Sequence, residues 1–142
     1  MTINLNQVID AVESASEVYT ALYDTQTGKT VYLPDEIITG ERDEALEELI
    51  ENSPTGRFLH FPTKYEIHEY SIMESFIESL PPGTSRQELA QAIRGKGAFR
   101  RFKNGIHYHR LDQQWYAYRD LTYREIAIRW CKDNGIEYMD EN

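Results

Sequence analysis

A chain of 142 residues and 16.6 kDa has the size of one ordinary domain, and its 40% hydrophobic and 27% charged residues exclude a disordered or fibrous protein. No apolar run approaches the roughly 20 residues that cross a bilayer, and a lone cysteine, Cys131, excludes an internal disulfide and a cysteine-based metal cluster. The net charge of −9 is uneven: residues 1–93 hold 5 Lys/Arg against 17 Asp/Glu, a net of −12, and residues 94–142 hold 10 against 7, a net of +3.

Asn4 is expected to cap a first helix, because Leu5, Val8, Ile9 and Val12 follow at helical spacing up to about Ser14. The opening MTINLNQVID has neither a basic start nor an apolar run, so no signal peptide is read there. From Glu17 to Leu33 the residues turn β-branched and aromatic on either side of a loop closed by Gly28, which predicts a β-hairpin ended by Pro34 and Asp35. Residues 41–52 carry a stripe of Ala45, Leu46, Leu49 and Ile50 beside an acidic face, the pattern of an amphipathic helix stopped before Pro54. A third strand is expected within 57–61.

Tyr70, Met73, Phe76, Ile77 and Leu80 then recur at helical steps until Pro81-Pro82-Gly83. Thr84 or Ser85 is the expected cap of a fourth helix, with Glu88 completing a capping box and Leu89, Ala90 and Ile93 facing inward. Gly95-Lys-Gly97 interrupts it. Phe99, Phe102 and Ile106 have helical spacing, whereas Asn104-Gly105 is a hairpin signal; the reading favours a helix weakened at Gly105. Residues 115–134 form a long last helix with Tyr116, Tyr123, Ile126, Ala127 and Trp130 on one side and Gly135 beyond its end, and 139–142 are expected to fray.

Few residues carry chemistry. His68-Glu69 lacks the second histidine of a zinc-protease motif, since position 72 is Ile72. His107 and His109 would diverge by roughly 200° in a helix and share a face only in a strand. Glu66, Glu69, Glu74 and Glu78 read as a solvated face, not a carboxylate pair. Cys131 falls near a helix C-terminus, the wrong end of the dipole to stabilise a thiolate, and reads as a buried small hydrophobe. No catalytic residue, metal site or cofactor is read from the sequence.

The segment 94–110 stands apart. It contains Arg94, Lys96, Arg100, Arg101, Lys103 and Arg110 and no acid. Glycines before a helix start leave N–H groups free for an anion, Lys96, Arg100, Arg101 and Lys103 add counter-charge, and exposed phenylalanines could stack bases. The candidate phosphate-binding set is therefore Lys96, Gly97, Arg100, Arg101, Lys103 and Arg119, although the loop is neither a Walker loop nor a dinucleotide fingerprint. Against it stands a structural reading: the phenylalanines belong to the core and the arginines pair with acids of residues 1–93. Arg119 leans towards the apolar side of its helix, so the expectation is either a structural partner, such as an acid of the hairpin, or a place facing the same hollow as Arg100 and Arg101.

Three stretches, 65–77 (YEIHEYSIMESFI), 95–103 (GKGAFRRFK) and 115–120 (WYAYRD) running on through 124–131 (REIAIRWC), resemble the bacterial uncharacterised protein family 0158. The hairpin is similar in arrangement, so the resemblance covers nearly the whole chain, with Asn104-Gly105 departing from the pattern. It implies a compact cytoplasmic protein with its signature in a helical C-terminal half, and it implies no chemistry. The expectation is a single α+β domain over 1–142, an N-terminal hairpin or small antiparallel sheet packed against that helical half. The leading functional expectation is a non-enzymatic cytoplasmic interaction or adaptor protein, with a protein partner or a second copy of itself and no membrane. The alternatives are a binder of RNA, nucleotide or another phosphate-bearing ligand through 94–110, and an enzyme of unrecognised type.

Overall fold

The structure is a computed structural model that describes residues 1–140. Mixed α+β content is what the alternating and helical spacings predict. The chain divides into two compact units, one of Met1–Ile67 with everything from Tyr123 on, the other His68–Thr122.

The first unit holds a three-stranded antiparallel sheet. Strand β2 (Tyr19–Asp24) is central, with β3 (Lys29–Pro34) on one side and β4 (Phe58–His60) on the other. Tyr19 pairs with Pro34, Ala21 with Tyr32 and Asp24 with Lys29, so the hairpin forms around Gly28 as expected. Helix α1 (Leu5–Glu13) starts where expected: the Asn4 side chain accepts from the Asn6 N–H at 2.9 Å. Two short strands were not legible, β1 (Thr2–Asn4) and β5 (Glu137–Met139), which pair in parallel as Ile3 with Tyr138 and Asn4 with Met139. Met139 is therefore held in a strand and not frayed, while 141 and 142 lie outside the described residues. Three residues per strand are too few to show a period, and their pairing joins the two ends of the sequence.

Short helices α2 (Glu36–Thr39) and α3 (Glu44–Asn52) lie between β3 and β4, and α4 (Lys64–Ile67) follows β4. Asp35 and Asp43 cap α2 and α3 by accepting backbone N–H bonds. The expected apolar stripe of α3 is not fully covered, because no α3 residue is buried and Leu49 is exposed. The core of this unit joins Leu5 and Val8 of α1, Tyr23 of β2, Phe61, and Trp130 and Cys131 of the last helix. Phe61 and Trp130 stack with centroids 4.8 Å apart, and the Trp130 indole N–H donates to the His60 carbonyl at 2.7 Å. Cys131 is buried as its position predicts, and burial pushes its thiol up.

The second unit is helical: α5 (Glu69–Ser79), α6 (Thr84–Ala92), α7 (Ala98–Tyr108) and the first half of α8 (Asp112–Asp133). Its core is a trio of edge-to-face rings, Phe76, Phe102 and Trp115, with the Phe102–Trp115 centroids 4.8 Å apart. Asn104-Gly105 makes no hairpin, since α7 runs through it. Two expected core positions are corrected: Phe99 is 49% exposed and Tyr116 50% exposed. Phe102, three residues beyond Phe99, and Trp115, next to Tyr116, are buried.

Candidate functional site

The basic segment becomes the loop before α7 and the helix itself. Gly95 and Gly97 both adopt positive φ, +76° and +79°, and turn the chain from the end of α6 into α7. The positive φ favours glycine at 97, and a Cβ there would also lie 2.9 Å from the Arg101 guanidinium. Arg101 explains the crowding. Its Nε donates to the Ala92 carbonyl at 2.7 Å, its Nη1 to the Lys96 carbonyl and its Nη2 to the Arg94 carbonyl. One guanidinium thus satisfies the last carbonyl of α6 and two carbonyls of the loop, and Arg101 organises the loop with groups that a free phosphate ligand would otherwise receive.

The other cations point outward. Lys96, Phe99, Arg100, Lys103 and His107 are all exposed, and on α7 the last four fall within an arc of about 100°. Among the described residues Lys96, Arg100 and Lys103 make no ion pair, so the expected pairing with acids of residues 1–93 does not neutralise this face. An aromatic ring therefore stands in water between three uncompensated cations. Arg119 lies elsewhere, on α8. Its Nη2 is 3.4 Å from the Asp120 carboxylate and its guanidinium lies 5.1 Å above the Tyr116 ring. An acid within reach of Arg119 is thus the next residue in sequence.

The histidines also find separate places. His107 Nδ1 is 3.6 Å from Asp112. His109, at the C-cap of α7, is nearly buried and spans two residues of α6: Ser85 Oγ meets its Nδ1 at 3.1 Å and Glu88 Oε2 its Nε2 at 2.8 Å. Glu88 is therefore no capping box, and Gly83 rather than Thr84 or Ser85 occupies the cap of α6. Ser85 and Glu88 stand one turn apart on α6, which lets both reach one imidazole. A serine, a histidine and a carboxylate in a row invite a hydrolase reading. The carboxylate is 55% exposed, and solvent screening at that exposure leaves it a weak lever on the imidazole, so the row reads as a tie between α6 and the end of α7. The remaining glutamates are dispersed: Glu66 closes a reciprocal pair with Thr63, each side chain meeting the other's N–H at 3.1 Å.

The model of the family described as "Uncharacterised protein family (UPF0158)" matches residues 1–142. The chain belongs to UPF0158. A UPF0158 protein of Pseudomonas aeruginosa is 28% identical over 139 residues, covering 96% of this chain and 86% of the relative. No solved structure matches. The family's name assigns no activity, so the function of this UPF0158 chain has to be argued from its own groups. No helix among the described residues is long and apolar enough to cross a membrane. Sequence reasoning missed the Ser85–His109–Glu88 row. The spacing of Ser85 and Glu88 was visible, but the histidine that answers them comes from another helix.

Proposed function

We propose that this protein is a non-enzymatic cytoplasmic binding protein, and that its working surface is the basic face of α7, which takes single-stranded RNA. The observation that carries the reading is Phe99, 49% exposed on a helix face that also presents Arg100 and Lys103, none of the three withdrawn into internal contacts. Such a ring offers a stacking platform for a base, and the flanking cations, with Lys96 at the helix entrance, meet the phosphates on either side. Gly97 and Arg101 serve the surface indirectly by shaping the loop, and Arg119, engaged by Asp120 and Tyr116, lies outside it. The acidity of the whole chain opposes binding at long range. Within a Debye length of about 10 Å the local cations prevail, so the affinity should be modest and its salt dependence steep.

Fluorescence anisotropy with a labelled single-stranded RNA, at about 50 and about 200 mM salt, tests this. Micromolar binding at the lower salt should collapse at the higher one and vanish in Arg100→Glu/Lys103→Glu. Phe99→Ala should weaken binding at both salts while leaving the salt slope nearly unchanged, which separates stacking from charge. Absence of binding at the lower salt overturns the proposal.

A second reading, self-association, is favoured by the division of charge. The first unit carries 7 Lys/Arg against 18 Asp/Glu, a net of −11, and the second carries 8 against 6, a net of +2. The basic face of one copy would then meet acidic residues of another. A mass by analytical ultracentrifugation that grows with concentration at low salt, and returns to the monomer value in the same charge reversals, would transfer the surface to that partner.

A further inference from the structure

On the first unit, apart from the α7 surface, we infer that a cavity beyond the end of α1 binds a small organic cation: an ammonium group carried on an apolar or aromatic body. The cavity arises from a mismatch of lengths and sizes. Strands β2 and β3 have six residues each, about 20 Å, whereas the nine residues of α1 cover only about 13 Å. Tyr19, Ala21 and Tyr23 share one face of β2, and Tyr32 joins that face opposite Ala21. Phe61 continues it, because its N–H donates to the Ala21 carbonyl at 3.1 Å. Tyr23 and Phe61 are covered by the core, and Tyr19 and Tyr32 are not. Ala21, the smallest side chain of the face, leaves a hollow among the three rings.

The hollow measures about 470 Å³, within the range of small-molecule sites. Its roof is the segment after α1, held by the Val18 N–H donating to Ser16 Oγ at 2.9 Å and the Asp35 N–H donating to the Val18 carbonyl at 2.8 Å. Tyr19, Tyr32 and Phe61 line it, and Glu17 is its one charged lining residue. Among the described residues Glu17 makes no ion pair. Aromatic faces carry negative quadrupole charge, and a carboxylate adds to it, so the site attracts a positive head group. The surrounding unit, with its net of −11, repels anions and draws in cations. A neutral apolar molecule gains only the rings. Shape, aromatic lining and charge therefore agree on an ammonium with an apolar body.

The experiment uses the full chain and three probes that share a phenyl ring but differ in head group: 2-phenylethylammonium, 2-phenylethanol and 3-phenylpropanoate. Binding is followed by calorimetry and by amide shifts in two-dimensional NMR. The ammonium should bind about tenfold tighter than the alcohol, the carboxylate weakest, with shifts centred on Glu17, Tyr19, Ala21 and Tyr32. Glu17→Gln should bring the ammonium down towards the alcohol. Tyr32→Phe should retain the preference and Tyr32→Leu should lose most of it, since the ring and not the hydroxyl is required. Tyr32 is 48% exposed, so its replacement leaves the core closed, and Glu17→Gln, at an exposed position, tests the charge without touching a ring. No ammonium binding, equal affinity for ammonium and alcohol, an unchanged preference in Glu17→Gln, or shifts centred elsewhere each overturns the inference.

Discussion

Asp24 is the residue on which the sheet unit depends most for its electrostatics. Arg57 grips it with two parallel bonds, Nε to Oδ1 and Nη2 to Oδ2, both 3.1 Å, and the Gln26 N–H adds a third at 2.9 Å. The Arg57 hydrogen bonds outweigh the cost of burial and hold the Asp24 carboxyl at about 2, below its ordinary range. An acid whose folded value is depressed stabilises the fold above its unfolded value of about 4, and the contribution is lost as pH falls through about 2. Asp24→Asn should therefore cost about 2 kcal/mol at neutral pH, with the gap from the parent closing between about pH 4 and pH 2. Urea unfolding of both proteins across that range measures it, and a gap that persists at pH 2 contradicts the assignment. In the sequence Asp24 stands only as one residue of the hairpin segment before Gly28. Its partner stands 33 positions away, at the foot of another strand, and no local pattern links the two.

The contact between α6 and α7 turns on Gly105. In the sequence, Asn104-Gly105 argues for a hairpin; in the fold, α7 continues through it because the flat glycine surface lets Leu89 approach. A Cβ at 105 would lie 2.7 Å from Leu89 Cδ2, and Leu89 is wholly buried, so it has no room to retreat. Two effects compete in Gly105→Ala. Helix propensity gains about 1 kcal/mol, and overpacking costs about 1–3 kcal/mol. The net should be destabilising in the parent. In a Leu89→Ala background the obstacle is gone, and the same substitution should become stabilising. Thermal melts of the four proteins form a cycle that reads this inversion of sign directly. The glycine was visible from the start, but its meaning depended on what stood opposite it. The neighbouring helical faces were legible: Phe102 and Ile106 are buried at the spacing that predicted them, whereas Phe99, which shares that spacing, is exposed.

For the molecule as a whole, the charge division read along the sequence persists in space, slightly reduced. Residues 68–93, with a net of −3, belong to the second unit and the last 20 residues, with a net of −2, to the first, so the imbalance of −12 and +3 by sequence position becomes −11 and +2 by unit. Eleven uncompensated negative charges on one compact unit repel each other more strongly than in the expanded chain. Raising sodium chloride from about 20 to about 200 mM shortens the Debye length to within side-chain distances of about 7 Å and should raise the melting temperature. Circular dichroism melts at the two salts test it, and an unchanged or lower midpoint would mean that ion pairs, such as the exposed Arg124–Asp140 pair, outweigh the repulsion.

Period, punctuation and composition lay in the sequence by itself. They determined the hairpin around Gly28, the helices 5–13 and 69–79, the burial of Cys131 and the concentration of cations between 94 and 110. These are properties of neighbours within a turn or two, where spacing alone decides which side chains share a face. The tertiary structure alone decided that Arg101 turns inward to carbonyls while Arg100 and Lys103 stay in water, that Glu88 answers His109 and not its own helix start, and that the chain's two ends pair as strands. It also decided that a hollow remains around Ala21. Each of these depends on groups brought together from distant positions, and the energy that chooses among partners, burial against solvation, exists only once those groups have met.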